Sequence, residues 1–205
     1  PDFSACKLLV ITTRATPVNG LQHGQGATGN MKSKADREFI PVRIAILTVS
    51  DSRTEETDSS GKTLVERLTA AGHVLAEKQI VPDNIYRMRA VVSGWIADPE
   101  VNVIITTGGT GMTGRDSTPE AIRPLLDKEL EGIGELFRWL SYRDIKTSTV
   151  ASRALGGVAN ATFIFCLPGS TGACRTGWDE IIEPQLDYRN APCNMVELLP
   201  RLTEQ

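Results

Sequence analysis

From Pro41 onward the chain alternates short apolar runs with longer stretches whose apolar residues recur at helical spacing. Residues 42–49, VRIAILTV, form a near-continuous apolar run that ends in Ser50-Asp51-Ser52-Arg53. Such a run predicts a strand buried on both faces of a parallel sheet. Residues 62–71 place Leu64, Val65, Leu68 and Ala71 on one helical face, and Gly72 is a stop signal. Residues 73–81 read as a weaker strand. The turn Pro82-Asp83-Asn84 follows, with Asp83 or Asn84 as the candidate cap of a helix over Ile85–Ala97.

The next stretch organises the rest. A β-branched run over residues 101–107 breaks into Gly108-Gly109-Thr110-Gly111, then Arg115-Asp116, then Thr118-Pro119. That predicts strand, glycine loop, charged turn and a helix over residues 118–127 with Thr118 as N-cap and Pro119 at its first position. A helix over 132–144 is expected to bury Ile133, Leu136, Phe137 and Leu140, and a short helix over 148–155 to stop at Gly156-Gly157. Thr162–Leu167 predicts a buried strand ending in the turn Pro168-Gly169-Ser170-Thr171, and residues 172–186 an amphipathic helix built on Trp178, Ile181 and Ile182. The alternation predicts a single α/β domain of three layers, α/β/α, around a mostly parallel sheet. Residues 1–38, rich in Gly, Gln and Asn around 19–30, are expected to be a disordered or extraneous extension, with Met31 as the expected native start and 39–205 as the domain with its C-terminal tail.

Composition narrows the function classes. A net charge of −3 supplies no global basic field for nucleic acid, and 5% aromatic residues give little base-stacking surface. Cys6, Cys166, Cys174 and Cys193 have no C-x-x-C spacing, and His23 and His73 make no zinc motif with them. No apolar run is long enough for a membrane span, so a cytoplasmic protein is expected. Gly61-Lys62-Thr63 resembles the end of a P-loop, but the position of its first glycine is Glu56 and the intervening acids repel phosphate. There is no G-x-S-x-G elbow.

What remains is a set of polar turns expected at the C-terminal edge of the strands, where open α/β sheets bind ligands. They offer hydroxyls, glycine-loop amides, the arginines Arg53, Arg115, Arg153 and Arg175, and the carboxylates Asp51, Asp83 and Asp116. Amides and arginines suit phosphate. A carboxylate pair beside them suits Mg²⁺, which takes one or two carboxylates and completes its shell with substrate oxygens. Plainer roles stand beside these: Asp83 as a cap, Asp116 as a cap or the ion partner of Arg115, Asp51 as a strand terminator, the glycines as a tight turn. Position by position, the residues stop at a phosphate-binding α/β protein, with Mg²⁺-dependent phosphoryl or nucleotidyl transfer as one use of it.

Taken together, Thr106-Thr-Gly-Gly-Thr-Gly111, Arg115-Asp116, Thr118-Pro-Glu-Ala121, Thr147-Ser-Thr149 and Pro168-Gly-Ser-Thr171 resemble the signature of the molybdopterin-binding family of molybdenum cofactor biosynthesis. The resemblance runs from about Phe39 to Pro200. It implies a compact α/β/α domain assembling as trimers or hexamers, with a pterin pocket at the glycine loop. It also implies adenylylation of molybdopterin by Mg²⁺-ATP with release of pyrophosphate before molybdate insertion, and contact with other proteins of that pathway. The family's two essential aspartates fall on Asp83 and Asp116, as catalytic residues and as the Mg²⁺ site through nucleotide phosphates. Asp51, Ser52, Gly108, Gly109, Thr110, Gly111, Arg115, Ser152, Pro168, Gly169 and Ser170 complete the candidate substrate site. Two other classes stay open: a non-catalytic molybdopterin-binding or scaffold protein, and a flavodoxin-like mononucleotide binder, which the few aromatic residues disfavour.

Overall fold

The computed structural model describes residues 37–204. The expected N-terminal extension, with Cys6, His23 and Met31, lies outside the described residues apart from its last two positions. Arg37 donates to the Tyr188 carbonyl at 3.3 Å and to Glu197 at 2.7 Å.

The apolar runs become strands and the helically spaced stretches become helices, in the order β1 (Arg43–Val49), α1 (Ser59–Ala70), β2 (Val74–Val81), α2 (Ile85–Ala97), β3 (Val103–Thr107), α3 (Thr118–Ile122), β4 (Lys128–Glu129), α4 (Glu131–Ile145), β5 (Leu155–Ala159), β6 (Thr162–Leu167) and α5 (Thr171–Gly177). A π-helical segment, Trp178–Ile182, continues α5 into α6 (Glu183–Leu186). The strands form one sheet in the order β2-β1-β3-β6-β5-β4. The first four run parallel, while β5 and β4 join antiparallel.

Strand alternation sorts the core into two halves. Ile44 and Ile46 of β1 join Leu64, Leu68, Phe137 and Trp178 beneath α1, α4 and the π segment. Ala45, Leu47 and Val49 point the other way, to Met88, Val92 and Ile122 beneath α2 and α3. The result is the expected three-layer α/β/α domain. Among the described residues no helix is long and apolar enough to cross a membrane.

Several local expectations need correction, each for a physical reason. Residues 148–155 are not a helix: a 3₁₀ turn over Lys146–Ala151 leads into strand β5. Gly156 and Gly157 are inside that strand because neighbours press on it; a Cβ at Gly156 would come within 2.9 Å of Ile133, and one at Gly157 within 2.6 Å of the Lys128 carbonyl. Thr118 does not cap α3; Ser117 occupies that position, and the Thr118 hydroxyl donates to the Gly108 carbonyl at 2.8 Å. Helix α3 stops at Ile122 and tightens to a 3₁₀ turn over Arg123–Leu125, where Pro124 cannot continue the α-helical bonding. Leu136 is 40% exposed, beside the buried stripe of Ile133, Phe137 and Leu140. Helix α1 begins three residues before the expected position, at Ser59, because Asp58 caps it. Asn84, not Asp83, caps α2, accepting from the Tyr86 and Arg87 amides at 3.0 and 3.1 Å.

His73 ties the start of β2 to the segment before β1 and to the π segment. Its Nδ1 accepts from the Val42 amide at 3.3 Å, and its ring lies 5.0 Å from the Phe39 ring and 6.0 Å from that of Trp178. Burial lowers its pKa below the ordinary 6.5, against the opposing pull of Asp187. The unfolded chain therefore takes up this proton first, so the neutral imidazole's contribution is complete above pH 6.5 and is lost as pH falls from there through the lowered native value. Urea titrations from pH 7.5 down to pH 5.5 are expected to show falling stability, and His73→Gln to flatten that slope.

Candidate functional site at the glycine loop

The connection after β1 leads to β2 on one side of the sheet, and β3 is followed by elements that build the other side. The ends of β1 and β3 therefore flank a topological switch point, a crevice outside the carboxyl ends of parallel strands. The glycine loop fills it. Gly108 and Gly109 have φ of +106° and +62°, conformations that L side chains rarely adopt. A Cβ at Gly108 would overlap the Val49 carbonyl oxygen; one at Gly109 would come 2.6 Å from Asp83 Oδ2, and one at Gly111 2.7 Å from Asp116 Oδ2.

The loop's carbonyls are occupied by the protein. The Thr118 amide donates to Gly109 O at 2.9 Å, and the Arg153 amide to Thr110 O at 3.2 Å. The Arg153 guanidinium donates to Gly111 O and Asp116 O, each at 2.7 Å, and pairs with Glu120. The Gly109 and Thr110 amides, by contrast, have no hydrogen-bond acceptor among the described residues. A loop that has bonded its carbonyls and left adjacent N–H groups free is a cradle for an anion.

The same loop presses against both candidate carboxylates. Asp83 Oδ1 accepts from the Ser117 amide at 3.2 Å and from the Ser117 hydroxyl. Asp116 Oδ2 accepts from the Thr113 amide at 2.8 Å and the Thr113 hydroxyl at 2.6 Å. The Thr113 hydroxyl first, then the Thr113 and Gly111 amides and the Arg153 charge, outweigh partial burial and hold the Asp116 carboxyl below its ordinary pKa, so it is ionised at neutral pH. Asp51 accepts from the Asp83 amide at 3.3 Å and pairs with Arg115, whose side chain is 75% exposed.

A cavity of about 570 Å³ opens between the loop and the end of α4. Of the predicted residues, the loop 108–111, Asp116, Ser152 and the turn 168–170 line it. Asp83, Asp51, Ser52 and Arg115 do not: Asp83, Asp51 and Arg115 form a layer beside the loop, on the α2 and α3 side, and the Ser52 amide donates to the Ser50 hydroxyl. Ser170 caps α5, accepting from the Ala173 amide at 3.1 Å, which fixes the turn 168–170 against the cavity. The expected candidate set omitted two contributors. Helix α4 supplies Phe137, Ser141 and Asp144 in one stripe, and Arg53 is the only lysine or arginine in the lining among the described residues. The first was legible as polar positions interrupting an apolar helical stripe. The second had no signal of its own, since Arg53 was one of four arginines in candidate turns. Burial pushes the thiols of Cys166 and Cys174 up to about 12 and about 11, which removes both as nucleophiles.

Among the described residues, no group of three or more His, Cys, Asp or Glu stands ready to hold a metal ion. A cation held by one or both of the loop carboxylates would depend on ligand oxygens for the rest of its shell, which is the habit of Mg²⁺.

The profile described as "Probable molybdopterin binding domain" matches residues 45–188, from the third residue of β1 to just past the end of α6. The chain belongs to this family. It is 57% identical to molybdenum cofactor biosynthesis protein B of Escherichia coli strain K12 over 162 residues, 79% of this chain and 95% of that protein. A crystal structure of a molybdenum cofactor biosynthesis protein B is 40% identical, with a TM-score of 0.74, and the match covers 82% of this chain and 100% of that one. A tungsten cofactor synthesizing protein from Pyrococcus furiosus is 36% identical, with a TM-score of 0.63, over 69% of this chain and 90% of that one. As a member of the molybdopterin-binding family, the chain carries the cavity and glycine loop on a fold shared with these relatives.

Gly108→Ala is expected to destabilise the domain by at least about 2 kcal/mol, from a positive-φ side chain and a backbone overlap. Gly114→Ala, where a Cβ meets nothing within 4 Å, is expected to stay within about 0.5 kcal/mol of the native chain. Urea unfolding of the two variants side by side measures both.

Proposed function

We propose that this chain binds molybdopterin in the cavity beside the glycine loop and adenylylates it with Mg²⁺-ATP. The observation that carries the proposal is the placement of two carboxylates, Asp83 and Asp116, against Gly109 and Gly111 of one anion-cradling loop. A catalyst of nucleotidyl transfer works mostly by positioning phosphates and neutralising their charge, and this arrangement offers both. The phosphate oxygen of molybdopterin attacks the α-phosphorus of ATP, the bond to the β-phosphate breaks, and pyrophosphate leaves. The Gly109 and Thr110 amides receive anionic oxygens, and Arg53 offsets their charge. Phe137 gives the pterin ring an apolar wall, and Ser141 and Asp144 offer polar groups to its edge. Asp83 keeps Oδ1 fixed by Ser117 and Oδ2 beside the loop; Asp116 stays ionised. Mg²⁺, when bound through these carboxylates, neutralises charge on the nucleotide phosphates.

The setting is cytoplasmic, with other molybdenum cofactor biosynthesis proteins as partners and a homo-oligomer, trimer or hexamer, as the working form. Trp139 and Tyr142, 67% and 51% exposed one turn apart on α4, supply an apolar face for a subunit contact.

A second reading draws on one observation: Asp83 stands outside the cavity lining. In that reading the chain holds molybdopterin without adenylylating it.

Pyrophosphate release from molybdopterin and Mg²⁺-ATP separates the two. The native chain is expected to release it, and Asp83→Asn and Asp116→Asn to slow it by about a hundredfold or more with pterin binding retained. No release from the native chain, with molybdopterin bound, selects the binding protein. Unchanged rates in both variants remove the carboxylates from the mechanism. In sedimentation equilibrium, Trp139→Glu is expected to lower the mass of the oligomer.

A further inference from the structure

Helix α1 begins over a carboxylate that solvent does not reach. Asp58 has a side-chain exposure of 0%. It accepts from Thr48 Oγ1 at 2.8 Å, the Gly61 amide at 2.9 Å and Ser60 Oγ at 3.2 Å, and it pairs with Lys78 Nζ at 3.0 Å and Arg53 Nη1 at 3.4 Å. Gly61 makes the room: a Cβ there would overlap the carboxylate and come within 2.6 Å of Thr48 Oγ1. This gives the glycine of the P-loop-like Gly61-Lys62-Thr63 a different task from holding phosphate.

Capping accounts for only one of these contacts. A serine or asparagine caps a helix equally well without bringing a charge into the interior. A buried carboxylate is costly unless paired and fully bonded, so its charge calls for a reason beyond the cap. Lys78 neutralises it and also pairs with Glu55 at 2.7 Å. Arg53 is the second cation, and it is the one that lines the cavity.

The geometry of Arg53 shows what the charge does. Nη1 donates to Asp58 and to the Ser60 hydroxyl, and Nη2 donates to the Gly169 carbonyl at 3.0 Å. One edge of the guanidinium is thus fixed between the loop after β1 and the turn after β6. Nε has no acceptor among the described residues, and one Nη2 hydrogen remains beyond the Gly169 bond. A planar fork held along one edge and free at the other presents two donors to anionic oxygens in a set direction.

We propose that Asp58 is a positioning residue for ligand binding: it holds Arg53 so that the free edge of the guanidinium meets the phosphate of the bound molecule. This rests on reading the cavity as a molybdopterin site, and adds to it the residue that orders the cavity's only cationic side chain among the described residues.

The test is a double-mutant cycle of Asp58→Asn and Arg53→Met on the full chain, read by calorimetric titration with molybdopterin and with 6-hydroxymethylpterin, which lacks the phosphate. Each single variant is expected to weaken molybdopterin about tenfold and to leave hydroxymethylpterin within about twofold, with no further loss in the double variant. Arg53→Lys, which keeps the charge but not the fork, is expected to lose as much as Arg53→Met. Equal weakening of both pterins by Asp58→Asn, or a full additional loss in the Arg53→Met background, overturns the proposal. A second arm needs no ligand: the Arg53 Nε–Hε order parameter from ¹⁵N relaxation is expected to fall in Asp58→Asn, and an unchanged value overturns the proposal. If the native chain binds neither pterin, the molybdopterin reading fails and this arm alone decides whether Asp58 holds Arg53. Should Asp58→Asn not fold, Ser60→Ala removes the other Nη1 acceptor and is expected to weaken molybdopterin several-fold while sparing hydroxymethylpterin; no loss there overturns the proposal.

Discussion

The end of β3 lies so close to the end of β1 that Gly108 has no room for a side chain beneath the Val49 carbonyl. Much else follows from that approach. The Gly108 amide reaches Leu167 O at 3.0 Å, which joins the loop to β6, and its carbonyl takes the Thr118 hydroxyl at 2.8 Å, which joins it to α3. Three parallel strands thereby end at one level, and the turns that leave them meet around a single loop. A side chain at that point would separate β1 from β3 and open the crevice that the sheet's topology creates.

Charge is distributed unevenly around that crevice. The cavity side has Arg53, Asp116 and Asp144, whereas Asp51, Asp83 and Arg115 occupy the layer next to the loop. The loop separates the two layers and touches both, through Gly109 on Asp83 and Gly111 on Asp116. Neither carboxylate is free to swing, since Ser117 and Thr113 hold one oxygen of each. An anion cradled by the loop therefore meets negative charge at fixed places, a combination that favours a bridging cation over a bare phosphate.

The layer architecture was legible in the sequence because buried parallel strands are apolar throughout, and VRIAILTV or TFIFCL admits no other burial. The glycine loop was legible because only glycine serves at positive φ beside a carbonyl. Strand β5 was hidden because its signal, Leu155-Gly-Gly-Val-Ala159, reads as a stop. The glycines are there for Ile133 and the Lys128 carbonyl, partners distant in sequence. At the site, the resemblance and the turns pointed to the C-terminal edge of the parallel strands, but not to which side of the loop each residue takes. That depends on register and crossover. Asp83 and Asp116 lie in successive strand-to-helix turns, and only the fold places Asp116 in the cavity lining and Asp83 outside it.

Arg153 bonds three carbonyls of the loop and its flank, Thr110 through its amide and Gly111 and Asp116 through its guanidinium. Its consequence is entropic. A glycine-rich segment loses more conformational freedom on ordering than any other, and a ligand that had to order it would surrender much of its binding free energy. Here that loss is met when the domain folds, by the amide and side chain of a residue that leads into β5. A ligand that binds this loop would find it already shaped, and its association would cost little beyond its own immobilisation.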